Sequence, residues 1–264
     1  MSVLMVLGGA WALCAVLQFF LWRLQKQRGE ADIVDVGWAG SLGALAALYA
    51  LLLDGDIIGR LCVAVFGVAW SVRLGSYLFR QRFQVPGEDE RYHSLRLAWG
   101  ENAQRNFFLL FQAQALLAVI LSLPFLAICM SREVPSSGAL IGAILLFIGS
   151  IAGEAWADSD LHAFRADPNN RGKVCRTGLW SYSRHPNYFF EWLYWWSYVA
   201  LGLQLPSGWL TLIGPAVMYY FLRYLTGIPA TEARALESRG EEYRRYQTTT
   251  NAFFPWFPRH EVRK

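Results

Sequence analysis

The residues best suited to chemistry lie in one short segment, residues 178–192. Arg184 and His185 stand directly before a proline, and proline favours the first turn of a helix, so both are predicted at a helix N-terminus. Backbone N–H groups at such an end suit an anion such as phosphate. Asn187 and Glu191 lie four residues apart and share one helical face. A glutamate one turn inside an apolar helix needs a partner, and a ligand amide, a ribose hydroxyl or a cationic side chain would serve.

A second polar group lies at the start of an apolar run. Asp32, Asp35 and Trp38 follow one another at intervals of three, so both carboxylates and the indole share one face of a helix. Asp35 is either a general acid, if burial raises its pKa, or a first-turn carboxylate that stabilises the positive end of the helix. The residues alone leave both roles open.

A third polar group, Arg73, Tyr77 and Arg80, forms a stripe at the end of another apolar run. A tyrosine near a membrane interface is often an aromatic anchor. Two flanking guanidiniums also suit a phenol that donates its proton to a developing enolate, because they favour the phenolate left behind. Tyr77 is therefore either an anchor or a proton donor.

A charged segment, residues 87–92, supplies further candidates: Glu88, Asp89, Arg91 and Tyr92. An amphipathic piece that is expected to lie on the membrane surface follows it. Taken alone, the segment predicts a solvated connector.

The elements that must position these residues are apolar runs close to the roughly 20 residues that cross a bilayer. With 55% hydrophobic and 16% aromatic residues in 264, the chain is too apolar for an ordinary soluble domain. We predict an all-α integral membrane protein, a bundle of about seven transmembrane helices in a single domain, 1–264. The predicted spans are 3–22, 38–53, 57–79, 107–129, 138–155, 188–204 and 208–225.

Most Lys and Arg residues fall in alternate loops, and cytoplasmic loops are the ones that retain positive charge. The basic stretches follow spans one, three, five and seven, whereas the other loops carry only Arg60 and Arg132. This pattern predicts an N-terminus outside and a C-terminus in the cytoplasm. The polar loops at about 80–106, 156–187 and 226–264 would then form the site on the cytoplasmic side.

The same patterns disfavour several classes of protein. The basic residues sit in short loops between spans, which argues against nucleic-acid binding. The four cysteines have neither metal nor disulfide spacing, and no metal is expected. The chain has no P-loop and no Gly-x-Gly-x-x-Gly after a strand, so any nucleotide must be held in another way.

The sequence Arg-His-Pro-Asn-Tyr at 184–188, with Glu191, resembles the signature of the C-terminal domain of the steroid 5α-reductase family. It is also similar to the bacterial relatives of that family, the DUF1295-like group, and more distantly to isoprenylcysteine carboxyl methyltransferases. Residues 87–92, 154–165 and 178–192 stand in family order, so the resemblance covers most of the chain.

The resemblance implies a multi-pass reductase, of a bacterial inner membrane, that uses NADPH to saturate the C=C bond of an α,β-unsaturated ketone lipid such as a 3-oxo-Δ4 steroid. The family's catalytic tyrosine falls on Tyr77. The family's glutamate has no exact match, and Asp35 is the nearest acid. Trp38 and Arg73 are expected in the substrate pocket. Membrane lipid is expected as a further partner of the protein.

The resemblance places family cofactor contacts on Asp160, Tyr182, Asn187 and Glu191, with Arg91 and Lys173 as phosphate partners. A His and a Tyr of the reductases fall on or near Glu232 and Leu236. The predicted NADPH-binding residues are Arg80, Glu88, Asp89, Arg91, Tyr92, Asp160, Arg165, Lys173, Tyr182, Arg184, His185, Asn187 and Glu191.

Two other functions stay open at this point. An S-adenosylmethionine-dependent membrane methyltransferase is one, because the Arg-His-Pro segment and the downstream acidic helix with Glu-Glu-Tyr-Arg-Arg-Tyr at 241–246 also resemble that branch. A non-catalytic membrane protein whose loops bind anionic lipid headgroups is the other. The order of the charged segments favours the reductase over the methyltransferase, and Asn187 with Glu191 disfavours a site for anionic headgroups.

Overall fold

The computed structural model describes residues 2–80 and 87–259. The protein is almost entirely helical, with 81% helix and no strand in the described ranges. It divides into two compact units, described separately below. Unit 1 comprises Met1–Ser136 and Gly202–Ile213, and unit 2 comprises Ser137–Leu201 and Gly214–Lys264.

Five helical stretches of the described chain are long and apolar enough to cross a membrane, which fits an integral, multi-pass membrane protein. The predicted fold class is confirmed to that extent, whereas the count of seven and the orientation stay predictions. The five are α1 (Val3–Arg28), α2 (Ile33–Leu52), α3 (Ile57–Leu78), the stretch Glu90–Met130 and α7 (Ser137–Ala166). The fourth stretch consists of α4 (Glu90–Trp99), a 3₁₀ turn, α5 (Ala103–Leu121) and α6 (Leu123–Met130).

The last two predicted spans correspond to shorter helices. The first is α8 (Pro186–Gly202). The second is a broken run, with a 3₁₀ turn at Gly208–Leu212, α9 (Ile213–Tyr220) and a π-helical turn at Phe221–Leu225. The surface helix α10 (Ile228–Thr249) follows.

Close helix packing in unit 1 brings the start of α2 beside α4. A Cβ on Gly43 of α2 would lie 2.4 Å from the Ser71 side chain of α3, so these two helices approach through a small residue. At the other end of α2, the buried residues Val34, Tyr92 and Phe107 pack in one cluster. That cluster sets the charged segment against the first turn of α2.

The long helix α7 differs from the predicted organisation of unit 2. Residues 156–166, which we expected in a loop, continue the helix to Ala166. It ends before Asp167-Pro168, because a residue that precedes proline disfavours the α conformation. Asp160 therefore lies on a helix.

The C-terminal part of unit 2 packs through aromatic residues. Tyr243 and Tyr246 lie on the buried face of α10. In the tail, Phe253 is buried against Phe189 and Trp192 of α8. This packing holds the tail beside the entrance of α8.

Candidate functional site

Asp35 lies at the centre of the first polar cluster, in the first turn of α2. Its carboxylate accepts hydrogen bonds from Arg91 Nη2 at 2.7 Å and from the Tyr92 hydroxyl at 2.8 Å. Arg91 Nη2 also donates to the Tyr92 oxygen at 2.8 Å, and the guanidinium lies 4.4 Å from the ring centroid. A carboxylate in direct contact with a guanidinium forms a charge-assisted hydrogen bond with it. The geometry therefore favours Asp35 as the counter-ion of Arg91 over Asp35 as a general acid.

Glu88 and Asp89 anchor α4 to the turn between α1 and α2. Glu88 forms a two-pronged pair with Arg96, at 2.9 and 2.6 Å, and accepts the backbone N–H of Ala31 at 2.9 Å. Asp89 caps α4 by accepting the N–H of Arg91, and its own N–H donates to the Asp32 carboxylate. These contacts give both acidic residues a structural use.

The predicted tyrosine and its neighbours lie at the end of α3. Tyr77 and Arg73 are half-buried, whereas Arg80 is exposed.

In α2, the Trp38 ring packs edge-on against Trp70, with centroids 5.7 Å apart. The Trp38 Nε1 atom is buried and has no hydrogen-bond partner in the described ranges. A buried N–H of this kind normally has a hydrogen-bond acceptor.

The signature segment of unit 2 is attached to the end of α7. Trp180 Nε1 donates to the carbonyl of Ala157 at 2.9 Å, and Asn187 Nδ2 donates to Asp158 Oδ1 at 3.2 Å. Between these contacts, a Cβ on Gly178 would lie 2.3 Å from Asp160 Oδ2, and Gly178 has a φ of +55°. Glycine is therefore favoured by its backbone conformation, and a larger residue would also displace the Asp160 carboxylate.

Asp160 Oδ2 is buried and has no hydrogen-bond partner in the described part of the chain. A buried acceptor of this kind is normally satisfied. Because it lies beside the signature segment, this oxygen is a candidate acceptor for an N–H or O–H group of a ligand.

Arg184 and His185 are held by one carboxylate from α10. Arg184 Nε donates to Glu232 Oε1 at 2.6 Å, and His185 Nε2 lies 3.2 Å from the same oxygen. Gln247 Nε2 donates to the other oxygen, Oε2, at 2.8 Å. Arg184 Nη1 also donates to the carbonyls of Gln247 and Thr250 at the end of α10. These contacts occupy two nitrogens, Nε and Nη1, of an arginine that we predicted to bind NADPH.

The charges of this cluster follow from its contacts. Burial would raise the pKa of Glu232, but the hydrogen bonds from His185, Arg184 and Gln247 and the charge of Arg184 lower it to about 2. Burial lowers the pKa of His185, and the nearby charge of Arg184 acts in the same direction, against the opposing effect of Glu232. A neutral imidazole that donates its Nε2–H to an ionised Glu232 satisfies both shifts.

N–H groups in the first turn of α8 donate to acceptors within the same segment. Asn187 Oδ1 accepts the N–H of Tyr188 at 3.0 Å, and the His185 carbonyl accepts the N–H of Phe189 at 3.1 Å. The His185 and Tyr188 rings stack with centroids 5.3 Å apart. Glu191, one turn further on, is buried. Few N–H groups of this turn are therefore open to an anion.

A family model described as a protein of unknown function (DUF1295) matches residues 21–250, which is most of the chain. The chain belongs to the DUF1295 family. That family is associated with steroid 5α-reductase-like proteins, so the resemblance is confirmed at the level of the bacterial group, and the reductase assignment stays a prediction. No curated protein and no solved structure matches the chain.

The remaining predicted residues of this DUF1295 protein lie on the surface of unit 2. Arg165, Lys173 and Tyr182 are exposed. The Lys173 carbonyl accepts from Arg239 Nε at 3.0 Å, whereas the cationic ends of Arg165 and Lys173 are accessible to solvent-borne anions. In the described residues, no group of three or more His, Cys, Asp or Glu side chains is arranged to hold a metal ion.

Glu232 was not among the predicted site residues, although it lies at the centre of the unit 2 cluster. It stands among eight charged residues of mixed sign, which predict a solvated helix. One signal was available, because Glu232 lies four residues after Ile228 and three before Ala235, both buried on α10. A glutamate on the apolar face of a helix needs a partner, and Arg184 and His185 are that partner.

Proposed function

We propose that this DUF1295 protein is a membrane-embedded, NADPH-dependent reductase that saturates the C=C bond of an α,β-unsaturated ketone lipid, such as a 3-oxo-Δ4 steroid. The observation that carries the proposal is the buried Oδ2 atom of Asp160, beside the signature segment, for which the described residues provide no hydrogen-bond donor. Ribose hydroxyls and the adenine amino group of a dinucleotide are donors of the required kind. The association of the family with steroid 5α-reductase-like proteins supports the same conclusion.

The residues of unit 2 fit a dinucleotide in their chemistry. Asp160 offers a buried oxygen to a hydroxyl or amino group, and the exposed Arg165 and Lys173 offer positive charge to phosphates. Asn187 and Glu191, in the first turns of α8, are the further proposed contacts of the cofactor. A bound NADPH would supply the hydride that is delivered to the β-carbon of the enone. The work of these side chains is to bind and orient the cofactor.

The residues proposed to act on the ketone lie in α2 and α3. Tyr77 would donate a hydrogen bond to the ketone oxygen, where negative charge develops as the enolate forms. Asp35 would hold Arg91 and Tyr92 in a fixed orientation. Trp38 and Arg73 would line the substrate pocket, with the buried Trp38 N–H as a polar contact for the lipid. Solvent then protonates the α-carbon.

Thermal unfolding of the detergent-purified protein with NADPH, NADH and S-adenosylmethionine, each measured separately, tests the cofactor. A ligand that binds only the folded state raises the apparent stability, by about 2.7 kcal/mol at a hundred times its Kd. We expect a shift to higher temperature with NADPH. A shift with S-adenosylmethionine alone would instead assign the protein to methyl transfer.

Two variants separate binding from chemistry in this test. Tyr77→Phe should keep the NADPH shift and lose turnover of an enone lipid by about a hundredfold or more, because a proton donor is removed. Asp160→Asn should reduce the NADPH shift, because it places a donor where the ligand needs an acceptor. Asp167→Asn, on an exposed turn that tolerates either side chain, is the control and should bind normally. An unchanged shift in Asp160→Asn would contradict the assigned contact.

A further inference from the structure

We propose that Glu232 is a positioning residue, which ties Arg184 and His185 to α10 and so holds the entrance of α8 in its cofactor-binding form. This inference rests on the proposed function for the nature of the ligand. It assigns Arg184 to the support of the entrance and not to contact with a phosphate.

The contacts of Glu232 connect parts of the chain that are distant in sequence. One carboxylate oxygen accepts from Arg184 at 2.6 Å and contacts His185 at 3.2 Å, and the other accepts from Gln247 at 2.8 Å. Arg184 and His185 directly precede the first residue of α8, Pro186. A carboxylate near the start of α10 therefore controls the side chains that lead into α8.

Arg184 extends the same connection to the far end of α10. Its Nη1 donates to the carbonyls of Gln247 and Thr250, and its backbone N–H donates to the carbonyl of Asn251 at 2.8 Å. The neighbouring Ser183 hydroxyl donates to the carbonyl of Phe253 at 2.9 Å. The entrance segment is thus attached to the beginning of α10, to its end and to the tail that follows.

Burial makes the loss of either charged partner in this cluster energetically costly. The side chains of Arg184, His185 and Glu232 are only 10%, 4% and 15% exposed. A guanidinium so buried requires a counter-ion, and Glu232 lies in direct contact with it. Loss of the negative charge would leave Arg184 with an unbalanced positive charge, and the entrance would rearrange to expose it.

Glu232→Gln tests the proposal, because it keeps the shape and removes the charge. Glu237→Gln, on the exposed face of the same helix, is the matched control. In the absence of any ligand, we expect faster hydrogen–deuterium exchange of the amides at residues 183–189 in Glu232→Gln than in the wild type or the control. Equal exchange in all three proteins would overturn the positioning role.

Ligand binding gives the second readout. We expect NADPH to bind about tenfold more weakly to Glu232→Gln, as after the loss of one charge-assisted hydrogen bond, with kcat at saturating cofactor nearly unchanged. Glu232→Asp should recover part of the affinity. Tighter NADPH binding in Glu232→Gln would overturn the proposal, because it would mean that Glu232 restrains Arg184 from a phosphate.

The two readouts also separate this inference from the proposed function. If the wild type binds no NADPH, the proposed cofactor is wrong. The exchange measurement still decides whether Glu232 holds the entrance, because it needs no ligand.

Discussion

The two polar clusters of this protein share one arrangement. In unit 1, the consecutive residues Arg91 and Tyr92 both contact the Asp35 carboxylate. In unit 2, the consecutive residues Arg184 and His185 both contact Glu232. Each cluster is thus an arginine and an adjacent ring held by a single acid from another helix.

The clusters differ in how far the arginine is buried and in its other contacts. The Arg91 side chain is 29% exposed, and its guanidinium also lies over the ring of Tyr92. The Arg184 side chain is 10% exposed and also bonds the carbonyls that end α10. Unit 2 further contains a histidine, so only its cluster includes a group whose ordinary pKa lies near neutrality. The same arrangement is therefore predicted to differ in stability and in response to pH.

The largest effect should come from removal of the two arginines. Arg184→Leu is expected to cost about 3–5 kcal/mol of unfolding free energy, because it leaves a buried carboxylate and uncaps α10. Arg91→Leu should cost about 2 kcal/mol, because water reaches that cluster and Tyr92 still donates to Asp35. Equilibrium unfolding in mixed micelles with increasing SDS measures both values. An equal or larger loss in Arg91→Leu would remove the distinction between the clusters.

An intermediate effect is expected on acidification. The pKa values of His185 and Glu232 are both lowered in the folded protein, so the unfolded chain binds more protons and the stability decreases as the pH falls. The contribution of His185 is lost as the pH falls below its ordinary pKa of 6.5. That of Glu232 is lost as the pH falls from 4.5 towards about 2.

Melting temperatures between pH 8 and about 4.5 would test this expectation. His185→Gln keeps a donor for Glu232 and should remove the loss of stability that begins below pH 6.5. His162→Gln, at an exposed position on α7, should keep the wild-type profile. Identical profiles for all three proteins would place the acid-sensitive group outside the unit 2 cluster.

The smallest effect should come from the Tyr92 hydroxyl. Tyr92→Phe removes one donor to Asp35, while the pair between Arg91 and Asp35 and the guanidinium–ring contact remain. We expect a loss of about 1 kcal/mol in the same SDS titration. A loss as large as that in Arg91→Leu would show that the phenol, and not the guanidinium, maintains the unit 1 cluster.

Much of the site was predictable from local patterns. The apolar runs predicted a helical membrane protein, and the proline at position 186 predicted the start of α8 at its observed residue. The spacing of Asp32 and Asp35 correctly placed both at the beginning of α2. These properties depend on neighbours a few residues apart, and helical periodicity carries them directly.

Other features were not predictable from the same patterns. The extension of α7 to Ala166 was missed, because its polar residues resemble those of a loop. Arg184 was predicted to bind the cofactor, because its position before a helix says nothing about a carboxylate brought from another helix. Glu232 stood among acids of similar appearance on α10.

The residues themselves thus specified the helices, their apolar character and the short segments where polar groups collect. Tertiary structure alone decided which acid neutralises which arginine. Asp35 and Arg91 are 56 residues apart, and Arg184 and Glu232 are 48 apart. Several carboxylates are available at such separations, and the choice among them depends on which helix faces pack together to bury apolar surface. The packing that brings one carboxylate within 3 Å of a buried guanidinium also makes that pair costly to break.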